Sequence, residues 1–75
     1  MIKFSHNYST SFKIKNKIAI GYFRCDNFLE IWYRGIKCEI PVNCNDEFFI
    51  IDNIEEFKEN LFKEYKKNIK LSKRK

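Results

Sequence analysis

The chain is short and basic, with 75 residues, a net charge of +5 and 44% hydrophobic residues. This length predicts a single domain over residues 1–75 with a thin stability margin, because a small chain buries a modest share of its surface. Aromatic residues make up 17% of the chain, which favours a folded globule over disorder. The chain lacks an apolar run of the ~20 residues that a membrane span needs, and its start lacks the apolar core of a signal peptide. We therefore expect a cytoplasmic protein with reduced cysteines and no membrane partner.

Alternating residues predict a long first strand over 12–23, in which a break near Asn16 stays open. Its expected core face consists of Phe12, Ile14, Ile18, Ile20 and Tyr22. Two turns follow, at 26–27 and 34–35, because Asp, Asn and Gly accept the backbone of tight turns. These turns predict further strands over 28–33 and 36–42. Residues 1–11 are expected to be a mobile N-terminal segment.

The register follows if both turns are two-residue loops. A loop at 26–27 pairs Tyr22 with Ile31, and a loop at 34–35 pairs Ile31 with Cys38. Both hairpins then place apolar side chains beside one another, whereas a one-residue slip would turn them to the other face. The sequence therefore predicts a small antiparallel meander of three to four strands.

The last third of the chain has the spacing of a helix. Asp52 or Asn53 caps it, and Asp52 has capping-box spacing to Glu55. The helix is expected to end near Lys70, and its apolar arc comprises Ile54, Phe57, Leu61, Phe62, Tyr65 and Ile69. The apolar residues 48–51 before it are either a fourth strand or a lead-in to the helix. The predicted fold class is α+β, a meander packed against one C-terminal helix, with residues 71–75 as a basic tail.

Residue types used in catalysis and metal binding are sparse. The chain has one histidine, His6, and two glycines, so neither a triad spacing nor a phosphate-binding loop is visible. The three cysteines lack a C-x₂-C pair, and the register turns Cys38 to the core and Cys25 to the other face. We therefore expect no enzymatic activity, no metal site and no cofactor.

The sheet face turned away from the helix is the first candidate site. Its expected members are Lys13, Lys15, Lys17, Phe23, Phe28, Trp32, Arg34 and Lys37. Basic residues interleaved with exposed rings are typical of a surface for single-stranded nucleic acid. Glu30 and Glu39 are predicted to oppose each other within this face, so a protein partner and a cover of N-terminal residues stay as alternatives.

The C-terminal segment is the second candidate. Residues 63–75 carry seven basic groups and one acidic group, whereas residues 1–62 carry eight basic and nine acidic groups. The basic residues are Lys63, Lys66, Lys67, Lys70, Lys73, Arg74 and Lys75. The helix dipole accounts for part of this asymmetry but does not require the last three cations. Lysines outnumber arginines by 12 to 3, which favours contact with phosphates over reading of bases.

Two functions fit these features. The first is a non-enzymatic module that binds the nucleic-acid backbone, with weak sequence preference, through the sheet face and the basic segment. The alternative is an inhibitor or accessory factor, encoded by a phage or plasmid, that binds a host enzyme or defence complex. Small size, a Lys-, Asn- and Ile-rich composition typical of AT-rich coding, and the expected exposure of Phe28 and Trp32 favour this alternative. Pairing of an edge strand with a second copy stays open as well.

Overall fold

A computed structural model describes residues 1–73, with side chains described through Leu71. Within these residues the chain has six antiparallel strands and one C-terminal helix, which confirms the predicted α+β class. The elements are β1 (Ile2–Ser5), β2 (Thr10–Ile14), β3 (Lys17–Arg24), β4 (Phe28–Tyr33), β5 (Ile36–Pro41), β6 (Phe48–Ile51) and α1 (Ile54–Lys73). Strands β2 to β5 form a four-stranded meander in chain order, and β1 pairs with β6 in a separate sheet. Residues 48–51 are therefore a strand.

The predicted long first strand is two strands joined by a hairpin turn. Lys15 and Asn16 both have positive φ angles, of 49° and 67°, as in a type I′ turn that matches the twist of paired strands. Ile14 pairs with Lys17 across this turn. Because the chain reverses here, even-numbered residues face the core before the turn and odd-numbered residues face it afterwards. The break that was left open near Asn16 is therefore present, and the single alternation over 12–23 was wrong.

The loop between β3 and β4 has three residues, 25–27, and this shifts the predicted register. The Asn27 amide donates to the Arg24 carbonyl at 3.1 Å, and Asn27 adopts a positive φ of 66°. A turn followed by a left-handed residue is a common three-residue hairpin loop. Ile31 therefore pairs with Gly21 and not with Tyr22 as predicted.

This shift exchanges the two faces of β3. Ala19, Gly21 and Phe23 point to the core, and Phe23 has no exposed surface, so its predicted place on the outer face was wrong. Ile18 and Ile20 point away from the core instead and are 60% and 45% exposed. The inner face of β3 thus carries two small residues, while two large aliphatic residues lie outside.

The register between β4 and β5 agrees with the prediction. Ile31 pairs with Cys38 across the two-residue turn at 34–35, where both residues have positive φ angles. Leu29 and Ile31 are fully buried, as expected for the core face. The face of β4 that carries Trp32 is therefore the face that points to solvent.

Two layers cover the inner face of the four-stranded sheet. The helix α1 crosses the end that carries the turns at 15–16 and 34–35, where the rings of Tyr33 and Tyr65 meet at 4.8 Å between centroids. The β1–β6 sheet lies toward the opposite end, where the ring of Phe49 lies 6.0 Å from that of Phe23. One core therefore joins both layers.

The N-terminal residues are part of this core, contrary to the expected mobile segment. Phe4 on β1 has no exposed surface, and its ring packs against Phe12 and Phe57. A Cβ placed on Gly21 would lie 2.9 Å from the Phe4 ring, so the glycine makes the close approach of β1 possible. Residues 1–11 contain β1 and the start of β2 because this apolar strand needs a buried surface.

Of the two predicted caps, Asp52 and Asn53, the structure has Asn53. The Asn53 side chain accepts a hydrogen bond from the Glu56 amide at 3.2 Å, which identifies Asn53 as the N-cap. The pairing of Asp52 with Glu55 is therefore not the cap. The helix continues to Lys73, beyond the predicted end near Lys70. Arg74 and Lys75 lie outside the described residues.

Candidate functional site

The outer face, defined as the side of the four-stranded sheet turned away from α1 and β1, has an apolar centre. Cross-strand pairs align Ser11, Ile20, Trp32 and Lys37 in one row across the sheet. Trp32 is 46% exposed, and the Lys37 ammonium lies 6.0 Å from the centroid of its ring. Ile18, two residues before Ile20, lies on the same side of β3 and enlarges the patch.

The neighbouring row of the outer face carries charge. Glu30 and Glu39 oppose each other as predicted. The guanidinium of Arg24 is in ion-pair contact with Glu39, lies 2.6 Å from Asp26 and is 3.5 Å from Glu30. The pKa of Arg24 is raised, and its hydrogen bond to Asp26 is the largest cause. One cation faces three carboxylates, so this part of the outer face is acidic.

The two rows are linked through Glu30. Its carboxylate accepts a hydrogen bond from the Trp32 indole at 2.9 Å, which fixes the orientation of the exposed ring. Partial burial raises the pKa of Tyr22 above its ordinary value of 10.0, and the charge of Glu30 adds to this shift. The sequence prediction missed Tyr22 and Arg24 because it placed Tyr22 in the core and left Arg24 out.

The outer face contains half of the residues predicted for it, namely Lys13, Phe28, Trp32 and Lys37. The other basic residues lie on the helix side. The Lys15 ammonium is 4.9 Å from the ring centroid of Phe62, and the Arg34 guanidinium is 5.9 Å from that of Tyr65. Lys17 lies two residues before Ala19 on β3, so its side chain points to the same side of the sheet. The predicted place of Lys15, Lys17 and Arg34 on the outer face was therefore wrong. Lys15 and Arg34 lie in the two tight turns, and Lys17 lies on the inner side of β3 because it pairs with Ile14.

These residues join the lysines of the helix to form a second surface. We define the basic end as Lys15, Arg34, Lys63, Lys66, Lys67 and Lys70. The Lys66 ammonium lies 5.3 Å from the same Phe62 ring that Lys15 approaches, so strand turn and helix meet here. Among the side chains that the structure describes, Lys67 is the member of this group with a carboxylate within 4.0 Å, that of Glu64. Most of the positive charge at this end is thus uncompensated by ion pairs.

The opposite end of the sheet carries acidic residues. Asp26 lies in the loop 25–27, and the chain after β5 runs beside this loop, since the Val42 amide donates to the Asn27 carbonyl at 3.0 Å. The following loop carries Asp46 and Glu47. The charge asymmetry seen along the sequence is therefore also an asymmetry in space.

The histidine and the cysteines do not converge in the described part of the chain. His6 stacks on Phe23 with 4.3 Å between ring centroids. Cys38 is buried, and desolvation raises the pKa of its thiol, while Cys25 lies exposed in a loop. Among the described residues, no group of three or more His, Cys, Asp or Glu side chains is positioned to hold a metal ion.

Comparisons with protein-family models, with curated proteins and with solved structures give no match for this chain. Over the described residues, the chain contains no helix whose length and apolar character would allow it to cross a membrane. The outer face and the basic end are therefore the features from which a function has to be inferred.

Proposed function

We propose that this chain is a non-enzymatic module that binds the phosphate backbone of nucleic acid through its basic end. The observation that supports this proposal is the convergence of cations from two sheet turns and one helix. Lys15, Arg34, Lys63, Lys66 and Lys70 have no carboxylate within 4.0 Å among the described side chains. Unpaired cations held on a rigid scaffold attract a polyanion without first breaking internal ion pairs.

The kind of cation suggests what is recognised. Four of the five unpaired residues are lysines, which act as point charges toward phosphate. Arg34 is the single member able to form a bidentate contact. We therefore expect binding with weak sequence preference and with strong dependence on salt, with a log–log slope near −0.9 per phosphate contact on duplex DNA.

Fluorescence anisotropy with labelled single-stranded and duplex oligonucleotides tests the proposal. Binding is expected at about 25 mM salt and should weaken by about a thousandfold or more at about 200 mM salt, if roughly four to six phosphates are contacted. Absence of binding to either oligonucleotide at the lower salt concentration would rule the proposal out.

A pair of matched variants tests the location of the site. Lys63→Gln with Lys66→Gln removes two charges from the basic end, and Lys3→Gln with Lys13→Gln removes two charges elsewhere. The first variant should reduce the salt slope by about two contacts, roughly 1.8 units on duplex DNA, and the control should reduce it far less. Equal losses in the two variants would show that the basic end is not the binding surface.

The second candidate function is the binding of a host protein, as expected of a phage- or plasmid-encoded inhibitor. The observation that favours it is the exposure of Ile18, Ile20 and Trp32 on the outer face. An exposed tryptophan beside aliphatic residues is typical of a protein interface. A stoichiometric partner that stays bound after nuclease treatment, and is lost in Trp32→Ser, would support this candidate over the first.

A further inference from the structure

The half of the outer face next to the basic end combines an exposed ring with cations. Trp32 lies there, 46% exposed, and Lys37 lies directly beside it on β5. Lys13 pairs with Ile18 in the next row toward the basic end. Lys13 and Lys37 have no carboxylate within 4.0 Å among the described side chains. Both lysines can therefore contact an anion without breaking an ion pair.

The other half of the outer face repels anions. Glu30 and Glu39 lie in the row beyond Trp32, on the side away from the basic end. The cation of this half, Arg24, is already in contact with Glu39, Glu30 and Asp26. A polyanion on the outer face is therefore confined to the half that carries Trp32, because only there does the charge of the face complement its own.

This half of the outer face is continuous with the basic end. Trp32 and Arg34 are separated by one residue, so their Cα atoms are at most about 7 Å apart. Lys13 and Lys15 are separated in the same way on β2 and its turn. A row of phosphates bound by the basic end can therefore continue around the two turns onto the outer face.

The orientation of the Trp32 ring is fixed by its neighbours. The indole N–H donates to the Glu30 carboxylate at 2.9 Å, and Ile20 lies directly beside Trp32 on β3. The Lys37 ammonium lies 6.0 Å from the ring centroid. Because the ring is already oriented, stacking on it costs less conformational entropy than stacking on a mobile side chain. Every nucleobase has a flat face that such a ring can stack against.

We infer that Trp32 stacks on a base of single-stranded nucleic acid whose phosphates contact Lys13, Lys37 and the basic end. This inference rests on the proposed function and narrows its substrate class from nucleic acid in general to single strands. The bases of a duplex are stacked on one another, so they leave Trp32 uncovered. In a single strand the bases are free to turn toward the sheet, and Ile20 extends the apolar surface on which a base lies.

A protein partner fits this half of the outer face less well. The centres of protein interfaces are enriched in tryptophan and depleted in lysine. Here Lys37 directly flanks the ring and Lys13 lies one row away, both without an ion pair. Lysines beside an exposed ring are the combination that single-strand binding uses, with cations for the backbone and a ring for the base.

Trp32 is the one tryptophan of the chain, so its fluorescence reports directly on this face. The full chain is titrated at about 25 mM salt with an oligothymidine of about 12 nucleotides, an ordinary site size for single-strand binding. An abasic strand and a duplex of the same length are the comparison ligands, and an oligouridine is the RNA arm. Quenching by oligothymidine or by oligouridine supports the inference, and the stronger of the two identifies the preferred sugar. The strand that quenches should bind at least about fivefold more tightly than the abasic strand, because stacking of one base adds to the same phosphate contacts.

Trp32→Leu removes the ring and no charge. It should lower the affinity for oligothymidine at least about fivefold and leave the salt slope and the affinities for the abasic strand and the duplex unchanged. Tyr8→Leu is the matched control, because Tyr8 is 51% exposed and precedes β2, at the end of the sheet away from the basic end. It should leave every affinity unchanged. Anisotropy of labelled strands measures the affinities, and far-UV circular dichroism verifies that each variant is folded.

Equal affinities of the original chain for the abasic strand and for both base-containing strands overturn the inference and leave the proposed binding of the backbone intact. So does a Trp32→Leu chain that binds oligothymidine as tightly as the original chain. A protein that stays bound after nuclease treatment and is lost in Trp32→Leu, with the oligothymidine affinity unchanged, also overturns it and assigns the face to the second candidate function. Absence of binding to every strand and to the duplex overturns the inference together with the proposed function, so the two failures are distinguishable.

Discussion

The two faces of the four-stranded sheet are both apolar at their centres, and they differ in burial. On the inner face Ile31 has no exposed surface, whereas Ile20 and Trp32 on the outer face are 45% and 46% exposed. Residue type alone therefore does not tell the buried face from the exposed face. The inner face is closed by α1 and by the β1–β6 sheet, while the outer face keeps its large side chains in contact with solvent.

Truncation of the same side chain on each face should give the largest difference. Ile31→Ala empties a fully buried site and should lower the free energy of unfolding by about 2–5 kcal/mol. Ile20→Ala, on the adjacent strand, should lower it by less than about 1 kcal/mol, because its side chain is 45% exposed. Urea denaturation followed by circular dichroism measures both values. Equal losses would contradict the assignment of the two faces.

A side chain added at Gly21 should lower the free energy of unfolding by less than Ile31→Ala does. A Cβ at this position would meet the Phe4 ring at 2.9 Å and the Ile31 side chain at 3.1 Å. Gly21→Ala should therefore lower the free energy of unfolding by about 1–3 kcal/mol through crowding of the core.

Gly35→Ala provides the comparison for this variant in the same denaturation assay. Gly35 has a φ of 82° and open space around it, so its replacement tests backbone strain without crowding. We expect a loss of about 1 kcal/mol there. If Gly21→Ala leaves the free energy of unfolding unchanged, the ring of Phe4 does not pack closely against β3.

The smallest expected change in stability comes from pH, through the thiol of Cys38. Burial raises the pKa of Cys38 above its ordinary value of 9.0, and a hydrogen bond from Asn68 opposes this shift. As pH rises, the unfolded chain loses the thiol proton before the folded chain does. The contribution of Cys38 to stability is therefore complete below its unfolded pKa and is lost as pH rises through its folded pKa.

Urea denaturation at about pH 7.5 and about pH 10, on either side of the ordinary thiol pKa, measures this dependence. The decline in stability with pH should be smaller in Cys38→Ala than in the original chain. Both are compared in a Tyr22→Phe background, because the pKa of Tyr22 is raised as well. An unchanged decline in Cys38→Ala would show that the thiol does not titrate differently on folding.

The parts of the fold that the sequence predicts correctly have strong local signals. The helix has an apolar arc of many residues, and the two-residue turn at 34–35 fixes the pairing of β4 with β5. The faces of β3 could not be read in the same way, because Ile18 and Ile20 form the more apolar alternation and yet point outward. The positive φ of Asn27, which adds a third residue to its loop, has no unique sequence signal, since Asn also fits two-residue turns.

The candidate site was predictable where it lies on the helix and not where it depends on the turns. Lys63, Lys66 and Lys70 follow from the helical spacing. Lys15 and Arg34 lie in two hairpin turns. The register of the whole sheet decides whether their side chains point toward the helix. The pair Lys15-Asn16 is the signal that could have shown the first turn, because an Asn in a polar dipeptide interrupts the apolar alternation.

The separation of the basic end from the acidic loops has a consequence for the approach to any polyanion. Asp26, Asp46 and Glu47 lie at one end of the sheet and the cations of α1 at the other, so the molecule has a permanent electric dipole. The field of a long anionic polymer exerts a torque on this dipole and turns the molecule before the two touch. Copies that settle side by side on one strand would then all have the same orientation, with their basic ends on the strand and their acidic loops directed away from it.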